Sequence, residues 1–469
     1  MPAKAGISRQ RRHPGFRRGD ACERGEGIVR SALATAAAIR AGETTARAEC
    51  EAAIARIEAL DPPLNAVVVR DFHRALTQAD AADARVRAGE TAPLLGVPMT
   101  IKESFDIAGL PTTWGIEPFR DFVPDRDAVA VRRLKRAGAV FLGKTNVPVA
   151  LADIQSVNPI YGRTNNAIDQ GRVAGGSSGG GAVALASGMV PFEFGSDIGG
   201  SIRVPAAFNG VWGHKPTYGA LPMEGHFLPG TDGAAVPMSV IGPLARDPDD
   251  LAIGLDIVAD QPLPRATAKP VHHWRILVMG AHPLARAEAS ILAALDVVAE
   301  ALGKAGARID RTSDLLPDLE LQHRHYMKLL NVTLSRRMPR DPSRPETTLE
   351  DWWELLDDQA RNRRAWERLC GDYDAVIAPV LGHVAIAHDD TPLPARKVSI
   401  DGEETPAGAQ FAYPGLATFP CLPATSVPIA RDANGLPIGL QVIANTLQDH
   451  SAIAVARMAH LLTKELRGS

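Results

Sequence analysis

The feature that most constrains the fold is a regular change of hydrophobic period along the chain. Apolar residues recur at helical spacing over residues 50–60, behind the potential cap Thr45, and again over residues 72–86. Over residues 97–102 they instead alternate with other side chains, as in a β-strand, so that Lys102 falls opposite the apolar face at a strand end. Helical and strand-like segments keep alternating to about Arg311. This alternation predicts an α/β protein.

Composition and charge exclude several classes of protein. The 51 Lys and Arg residues nearly balance the 54 Asp and Glu residues, giving a net charge of -3, so the charge pattern offers no reason to expect nucleic acid as a partner. No apolar run reaches the ~18 residues that cross a bilayer, and the first residues lack the apolar core of a secretory signal. The four cysteines include no C-x-x-C pair and are expected to be reduced thiols. We therefore expect a cytoplasmic protein with no membrane partner.

The ends of the predicted domain follow from local composition. Basic residues alternate with Gly and Pro over residues 1–27, without an apolar period. We interpret this segment as a disordered, solvated extension or a wrongly assigned start, with a basic interaction tail as the alternative. Residues 28–469 are expected to form one domain. Within it, residues 261–272 and 338–347 are interpreted as linkers, and the polar stretch 387–405 as a loop over a site.

Neither a match to the P-loop motif nor two groups of neighbouring polar side chains predicts a cofactor. Residues 138–145 fit the P-loop expression G-x-x-x-x-G-K-[ST], but the four middle residues are a predicted apolar strand, whereas a P-loop needs them as an exposed loop around phosphate. Two groups of neighbouring side chains lack further ligands at metal spacing: His323 with His325, and His383 with His388 and Asp389. We expect neither a nucleotide nor a metal.

The chemistry is expected in residues 175–219, where two glycine-rich turns contain serines. The first turn precedes a predicted helix over residues 182–186, which places Ser177 and Ser178 near free helix N–H groups. The second turn ends at Ser201. Consecutive glycines let successive N–H groups point at one place, as an oxyanion hole requires. Glycine–serine turns are common, so this pattern alone does not define a nucleophile.

Lys102 supplies the base that such a serine would need. No His or Cys lies in this stretch before His214, so a Ser-His-Asp arrangement is poorly supported. A lysine can act as a base when burial disfavours its charged form. Lys102 together with the serine turns therefore favours a serine hydrolase that uses lysine.

These motifs together resemble the amidase signature family of serine hydrolases. Residues 96–103 (GVPMTIKE) are similar to the catalytic-lysine strand of that family, and residues 195–203 (GSDIGGSIR) and 213–217 (GHKPT) to its signature. Weaker matches follow in the family's order at residues 142–146, 242–246, 378–379 and 435–441. The resemblance implies a single large α/β/α domain with a mixed, twisted central sheet covered by helices.

The resemblance also assigns roles to individual residues. It implies Lys102 as the base, Ser177 as a bridging serine held through a cis peptide, and Ser201 as the nucleophile, with Ser178 as the competing candidate for the bridge. The N–H groups of Ile198, Gly199, Gly200 and Ser201 would form the oxyanion hole. Asp197 and Arg203 would brace the turn as a charge pair, and Arg246 is interpreted in the same way.

The function implied is hydrolysis of a linear carbon–nitrogen bond in a small, neutral or apolar amide through an acyl-enzyme, with esters, carbamates or lactams as side substrates. The expected partners are the amide and water, with a homodimer as a candidate assembly. Residues 218–240 form either a pocket or a surface loop with a buried edge. The candidate pocket residues are Met223, His226, Phe227 and Leu228, and Trp114, Phe411 and Tyr413 are weaker candidates.

Two other functions stay open from the sequence. One is the glutamine-hydrolysing amidase subunit of a tRNA-dependent amidotransferase, which would work with a stable partner. The other is a non-catalytic scaffold of the same fold, against which the intact Lys102, Ser177 and Ser201 argue. Gly181, where the family often has Ser or Glu, together with departures at Val149 and Pro414, leaves the choice of substrate open.

Overall fold

The computed structural model describes residues 29–335 and 346–468. The expectations for residues 1–27, and most of the predicted linker 338–347, lie outside these ranges. The described strands are β1 (Val67–Arg70), β2 (Pro98–Lys102), β3 (Val140–Thr145), β4 (Val157–Asn158), β5 (Gly162–Arg163), β6 (Phe192–Asp197), β7 (Trp212–Lys215), β8 (Val240–Ala245), β9 (Arg275–Val278), β10 (Arg308–Asp310), β11 (Ala375–Pro379), β12 (Lys397–Ile400), β13 (Glu403–Pro406), β14 (Ala424–Arg431) and β15 (Pro437–Ile443).

Helices occupy most of the chain between these strands. The described α-helices are α1 (Ala32–Arg40), α2 (Ala46–Leu60), α3 (Phe72–Arg87), α4 (Val129–Arg136), α5 (Gly179–Ala186), α6 (Arg203–Asn209), α7 (Pro248–Val258), α8 (Ala289–Lys304), α9 (Leu319–Leu334), α10 (Leu349–Asp372), α11 (Ala412–Thr418) and α12 (Asp449–Gly468). Short 3₁₀ helices cover Glu117–Phe119, Val149–Leu151, Val271–His273 and Ala407–Phe411.

A mixed sheet of eleven strands forms the centre of the described chain, in the order β1-β3-β2-β6-β8-β7-β14-β15-β11-β9-β10. Strand β2 runs parallel to both β3 and β6, and β9 runs parallel to β10 and β11. The other neighbouring pairs are antiparallel. This arrangement confirms the prediction of an α/β fold with a mixed central sheet.

Both faces of the sheet are covered. In β3, Val140 and Leu142 belong to one hydrophobic cluster and Phe141 to another. Since successive side chains of a strand point to opposite faces, the two clusters lie on opposite sides of the sheet. Strand β2 is likewise buried along its whole length, so Lys102 lies inside the protein and not on an exposed edge. The central strands thus place polar side chains where water is excluded.

Several local predictions are confirmed. Helix α2 begins after Thr45, whose hydroxyl accepts the N–H of Ala48 at 3.0 Å. The residues that match the P-loop expression lie in and before strand β3. Lys144 is buried there and its Nζ donates to the hydroxyl of Thr112 at 2.9 Å and to the carbonyl of Pro111. Its ammonium group therefore stabilises the loop that follows β2.

The sequence predicts a loop over residues 387–405, but the structure shows more than a loop there. This stretch contains the strand β12 and most of β13, which pair as an antiparallel hairpin. Val398 and Ile400 are buried while Lys397 and Ser399 are exposed, so a short alternation hidden among polar residues forms the hairpin. Four residues are the shortest alternation that indicates a strand, and here they lie within a long polar stretch.

The first described segment is tied to helix α7. The carboxylate of Asp250, fully buried, accepts the N–H groups of Ala32 at 2.8 Å and Leu33 at 2.9 Å. Arg246 donates to the carbonyls of Val29 and Arg30. Arg246 therefore braces this segment. It follows Ala245, which pairs with Phe192 at the opposite end of β6 from the serine turn, so the expectation that Arg246 braces that turn is wrong.

No helix in the described parts of the chain is both long enough and apolar enough to cross a membrane.

Candidate active site

Lys102 and Ser177 meet beneath the surface, at the end of strand β2. Ser177 follows a cis peptide bond from Gly176, just before helix α5. The Nζ atom of Lys102 lies 2.6 Å from the Oγ atom of Ser177. Both side chains are excluded from solvent, with exposures of 0% and 1%. Residues 75 positions apart are thus joined by a buried hydrogen bond.

Burial makes Lys102 a possible base at neutral pH. Desolvation lowers its pKa to about 7, although the nearby carboxyl groups of Asp197 and Glu193 act in the opposite direction. Nζ also lies 2.9 Å from the hydroxyl of Ser196. A substantial fraction of Lys102 is therefore neutral near pH 7 and able to accept a proton.

Ser201 ends a tight turn between strand β6 and helix α6. The carboxylate of Asp197 organises this turn, because its oxygens accept the N–H groups of Gly200 at 2.9 Å and Ile202 at 3.1 Å. The backbone of Gly200 has φ of +97°, which favours glycine. Ser201 is 7% exposed, more than Lys102 or Ser177.

The turn leaves fewer free N–H groups than the resemblance implies. Gly200 N–H already donates to Asp197, so the structure places it in the frame of the turn, contrary to the expectation of a free oxyanion donor there. Among the residues that the structure describes, the N–H groups of Ile198, Gly199 and Ser201 have no hydrogen-bond acceptor. These three donors remain available to a ligand.

Asp197 and Arg203 form a buried ion pair with two hydrogen bonds. Arg203 Nη2 and Nε lie 3.0 Å and 3.1 Å from the carboxylate oxygens, and both side chains are fully buried. Burial raises the pKa of Asp197, but the charge and hydrogen bonds of Arg203 outweigh burial and lower it to about 2. Arg203 also donates to Gln441 at 2.7 Å and to the carbonyl of Pro414 at 3.0 Å. The pair has the geometry of a brace for the serine turn.

Ser178 has a different environment from Ser177. Its N–H donates to the carbonyl of Ser201 at 3.1 Å, and its hydroxyl lies 3.3 Å from the carbonyl of Ser196. Its hydroxyl thus bonds the backbone beside the turn, while the hydroxyl of Ser177 contacts Lys102. Of the two candidates for the bridge, Ser177 is the one whose hydroxyl contacts Lys102.

Trp114 and His226 lie near the buried lysine. The ring of His226 packs on Trp114 at 5.2 Å between centroids, and its Nε2 atom lies 2.9 Å from the hydroxyl of Ser104. Burial and the charge of Lys102 lower the pKa of His226 to about 3, so the imidazole is neutral. Glu103 accepts the N–H of Trp114 at 3.0 Å and fixes this turn. Two of the expected pocket residues are therefore close to the site.

The other pocket candidates are placed differently. Met223 packs against the largest hydrophobic cluster, and Phe227 lies beside Gly233. Tyr413 is buried in a separate cluster and its hydroxyl donates to the carbonyl of Ala285 at 3.0 Å, which makes it a core residue and corrects the expectation of a pocket residue. Phe411 lies against the serine turn instead, since a methyl group on Gly199 would be 3.0 Å from its ring.

Glu193 is a buried acidic residue that the sequence analysis did not single out. Its carboxyl group accepts from the hydroxyl of Thr145 at 3.1 Å and from that of Thr100. Burial raises its pKa to about 8, so it is mostly protonated at neutral pH. Gly181 gives it room, because a methyl group there would lie 2.6 Å from its Cγ atom. The sequence did contain a signal for this residue, because an acidic side chain stands between Phe192 and Phe194 in an otherwise apolar strand.

The described residues contain no group of three or more His, Cys, Asp or Glu side chains arranged to hold an ion. The arrangement at Lys102 suits proton transfer between a neutral amine and hydroxyl groups. The free N–H donors next to Ser201 can stabilise the negative oxygen that forms when a carbonyl is attacked.

Comparison with known proteins agrees with this chemistry. The model of the Amidase family matches residues 49–341 and 285–453. The chain is 32% identical to fatty-acid amide hydrolase 2-A of Danio rerio, over 92% of this chain and 88% of that one. It is also 32% identical to a glutamyl-tRNA(Gln) amidotransferase subunit of Koribacter versatilis (strain Ellin345), over 90% and 96%. A crystal structure described as an amidase superposes with a TM-score of 0.77 at 28% identity, covering 93% of this chain and 100% of that chain.

The chain therefore belongs to the amidase signature family. It is an enzyme, a hydrolase of carbon–nitrogen bonds in amides.

Proposed function

We propose that this protein hydrolyses small, neutral or apolar amides through an acyl-enzyme on Ser201, with Ser177 and Lys102 as the proton relay. The observation that carries the proposal is the buried contact of 2.6 Å between Lys102 Nζ and Ser177 Oγ, beside the turn that holds Ser201. A scaffold would have no need of a buried lysine with a lowered pKa.

In the first step, the Oγ atom of Ser201 bonds to the amide carbon as its proton passes to Ser177, whose own proton moves to neutral Lys102. The carbonyl oxygen becomes negative and is met by the N–H groups of Ile198, Gly199 and Ser201. The relay then returns a proton to the leaving nitrogen, and the carbon–nitrogen bond breaks. The amine departs and an ester on Ser201 remains.

In the second step, water attacks this ester. The relay removes a proton from the water and finally returns one to Ser201, so the acid is released and the enzyme is regenerated. The demand on the fold is a lysine kept partly neutral, which is what the burial of Lys102 provides.

The preference for neutral or apolar amides rests on the side chains close to the turn. Trp114 and Phe411 are half-buried and lie beside the catalytic groups, and the neighbouring His226 is held neutral. An uncharged lining favours an uncharged substrate. The relative named for fatty-acid amides fits this choice, while the amidotransferase relative of equal identity keeps glutamine as the alternative.

The proposal is tested with a panel of purified variants and substrates. The substrates are alkyl and aryl anilides, an aryl carbamate, an aryl ester and glutamine. We expect the wild type to cleave at least one neutral amide and Ser201→Ala to lose that activity. Ser399→Ala is the matched control, because this serine is exposed on strand β12, and it should behave as the wild type. Lys102→Ala should lose amide turnover but retain part of the ester hydrolysis, since an aryl oxide leaves without a proton.

Each other outcome has a meaning. Cleavage of glutamine alone would replace the substrate class by that of an amidotransferase. Equal activity of Ser201→Ala and the wild type would remove Ser201 as the nucleophile. Equal loss of amide and ester turnover in Lys102→Ala would count against its role as the acid for the leaving group.

A further inference from the structure

Tyr326 reaches the serine turn from helix α9, far away in the sequence. Its hydroxyl donates to the carbonyl oxygen of Ile198 at 3.1 Å, across 128 positions of the chain. The side chain is completely buried. Neither the signature motifs nor the relay includes this residue.

The hydrogen bond from Tyr326 to the carbonyl of Ile198 also orients the next N–H group, that of Gly199. A peptide unit is planar, so the C=O of Ile198 and the N–H of Gly199 share one plane and point in opposite directions. Holding the carbonyl towards Tyr326 therefore aims the N–H of Gly199 away from helix α9. That N–H is one of the three free donors of the turn.

The other hydrogen bonds of the turn hold its C-terminal part. Asp197 binds the N–H groups of Gly200 and Ile202, as described above. These bonds do not involve the peptide unit between Ile198 and Gly199. Glycine has few steric limits on its backbone, so the bonds of Asp197 alone do not fix the orientation of this peptide. Tyr326 supplies a hydrogen bond that does.

Tyr326 is itself held in place by its neighbours. Its ring packs so closely on helix α11 that a methyl group on Gly415 would lie 2.8 Å from it. One turn earlier on α9, Gln322 donates to the carbonyl of Gly415 at 3.0 Å and accepts from the indole N–H of Trp366 at 2.8 Å. Burial raises the pKa of Tyr326 well above its usual value, so its phenol keeps its proton over the working pH range.

We propose that Tyr326 is a positioning residue of the oxyanion hole, which orients the N–H of Gly199 by binding the carbonyl of Ile198. This inference rests on the proposed function and deepens it. Since Tyr326 acts through the backbone, its removal should weaken the binding of the transition state and leave the binding of the substrate nearly unchanged.

The test is Tyr326→Phe, which removes one hydroxyl and keeps the ring that packs on Gly415. We expect kcat for the amide to fall about 10- to 100-fold, below the ~10²- to 10³-fold loss that follows removal of a whole donor. KM should change less than about twofold. A trifluoromethyl ketone shaped like the amide should bind more weakly by the same factor as the loss in kcat/KM, because its adduct carries the oxyanion.

The matched control is Tyr373→Phe. Tyr373 is also buried and its hydroxyl makes a single hydrogen bond, of 3.0 Å to Asp310, on the edge strand β10. Both variants should lower Tm by similar amounts, and only Tyr326→Phe should lower kcat. Rates are divided by the concentration of active sites, which is measured by complete reaction with a fluorophosphonate probe. Unfolded protein therefore does not lower the measured kcat.

The two proposals fail in different ways. If Tyr326→Phe keeps the kcat and the ketone affinity of the wild type within twofold while Ser201→Ala is inactive, Tyr326 is only a structural residue and the inference is overturned. If KM rises in parallel with the loss of kcat/KM at constant kcat, its role is in substrate binding and the inference is equally overturned. If Ser201→Ala is as active as the wild type, the proposed function itself fails.

Discussion

At the scale of the residue, the unusual feature is a buried lysine that is partly neutral near pH 7. In the unfolded chain Lys102 would have a pKa of ~10.4, against about 7 in the folded protein. Between these values the unfolded chain binds one more proton, so this group destabilises the fold near pH 7, and its contribution to stability improves as the pH rises towards 10. At 1.36 kcal/mol per pKa unit, the cost at neutral pH is about 4 kcal/mol. Such a cost in a buried core fits a catalytic group.

This lysine determines the expected pH dependence. Because only the neutral amine accepts a proton, kcat/KM for an amide should rise with pH and level off above an apparent pKa near 7. The measurement is a profile of kcat/KM from pH 5.5 to 9 for the wild type, and for the residual ester hydrolysis of Lys102→Ala. The variant should lack the rising limb. A limb that persists in Lys102→Ala, or a rate that falls from pH 6 to 8 in the wild type, would assign the base elsewhere.

Much of the candidate site could be predicted from the sequence, because the signature residues lie in short, contiguous motifs. Lys102, Ser177 and Ser201 are examples. Glu193 and Tyr326 were not found, since their roles arise from contacts that only the folded sheet and helix α9 create. Tyr413 shows the opposite error, because an aromatic residue near a motif looks the same in sequence whether it faces a pocket or the core.

At the scale of the element, the site depends on the close approach of helix α5 to the end of strand β3. Gly180, in the first turn of α5, lies so near this strand that a methyl group would be 2.3 Å from the N atom of Asn146 and 2.7 Å from the carbonyl of Ala66. These are backbone atoms and cannot move aside. Helix α5 follows directly on Ser177 and Ser178, so its position sets the place of both serines.

We therefore expect Gly180→Ala to destabilise the protein, although alanine favours helices. Overpacking against backbone should cost about 1–3 kcal/mol, more than the gain in helix propensity of about 1 kcal/mol. Gly371→Ala in helix α10 is the control, because nothing lies within 4 Å of the added methyl group, and it should leave Tm unchanged or raised. The check is Tm by calorimetry, with amide turnover measured in parallel. Equal Tm values for the two variants would mean that α5 can shift freely.

Elements with long, regular patterns were predictable, and short ones were not. Helix α2 and strands β2 and β3 follow from their apolar period and caps. The hairpin of β12 and β13 was missed, because four-residue strands rich in charged side chains do not differ in sequence from a loop. The order of the eleven strands also lies beyond a single sequence, since it depends on which buried faces fit each other.

At the scale of the whole molecule, the structure bears on the proposed domain of residues 28–469. Contacts to the rest of the protein are already made at Val29 and Arg30 through Arg246, and at Ala32 and Leu33 through Asp250. A location in the cytoplasm and a homodimer remain predictions.

Two truncations test this boundary. A chain that begins at residue 28 should keep the Tm and the amide turnover of the full chain. A chain that begins at residue 46 lacks helix α1 and leaves the buried carboxylate of Asp250 without its two N–H donors, which should cost several kcal/mol. Differential scanning calorimetry and amide turnover measure both effects. A large loss of stability in the longer variant would extend the domain into residues 1–27.

The contact from Arg203 to Gln441 has a consequence for biosynthesis. Lys102, Ser177 and Ser201 are all synthesised in the first half of translation, yet the guanidinium that braces the turn of Ser201 gains its partners Pro414 and Gln441 only near the end. Until then a nascent chain contains all three proposed reactive groups, but Arg203 lacks two of its hydrogen-bond partners. Premature termination should therefore yield inert products, and the proposed nucleophile Ser201 should become competent only when synthesis is almost complete.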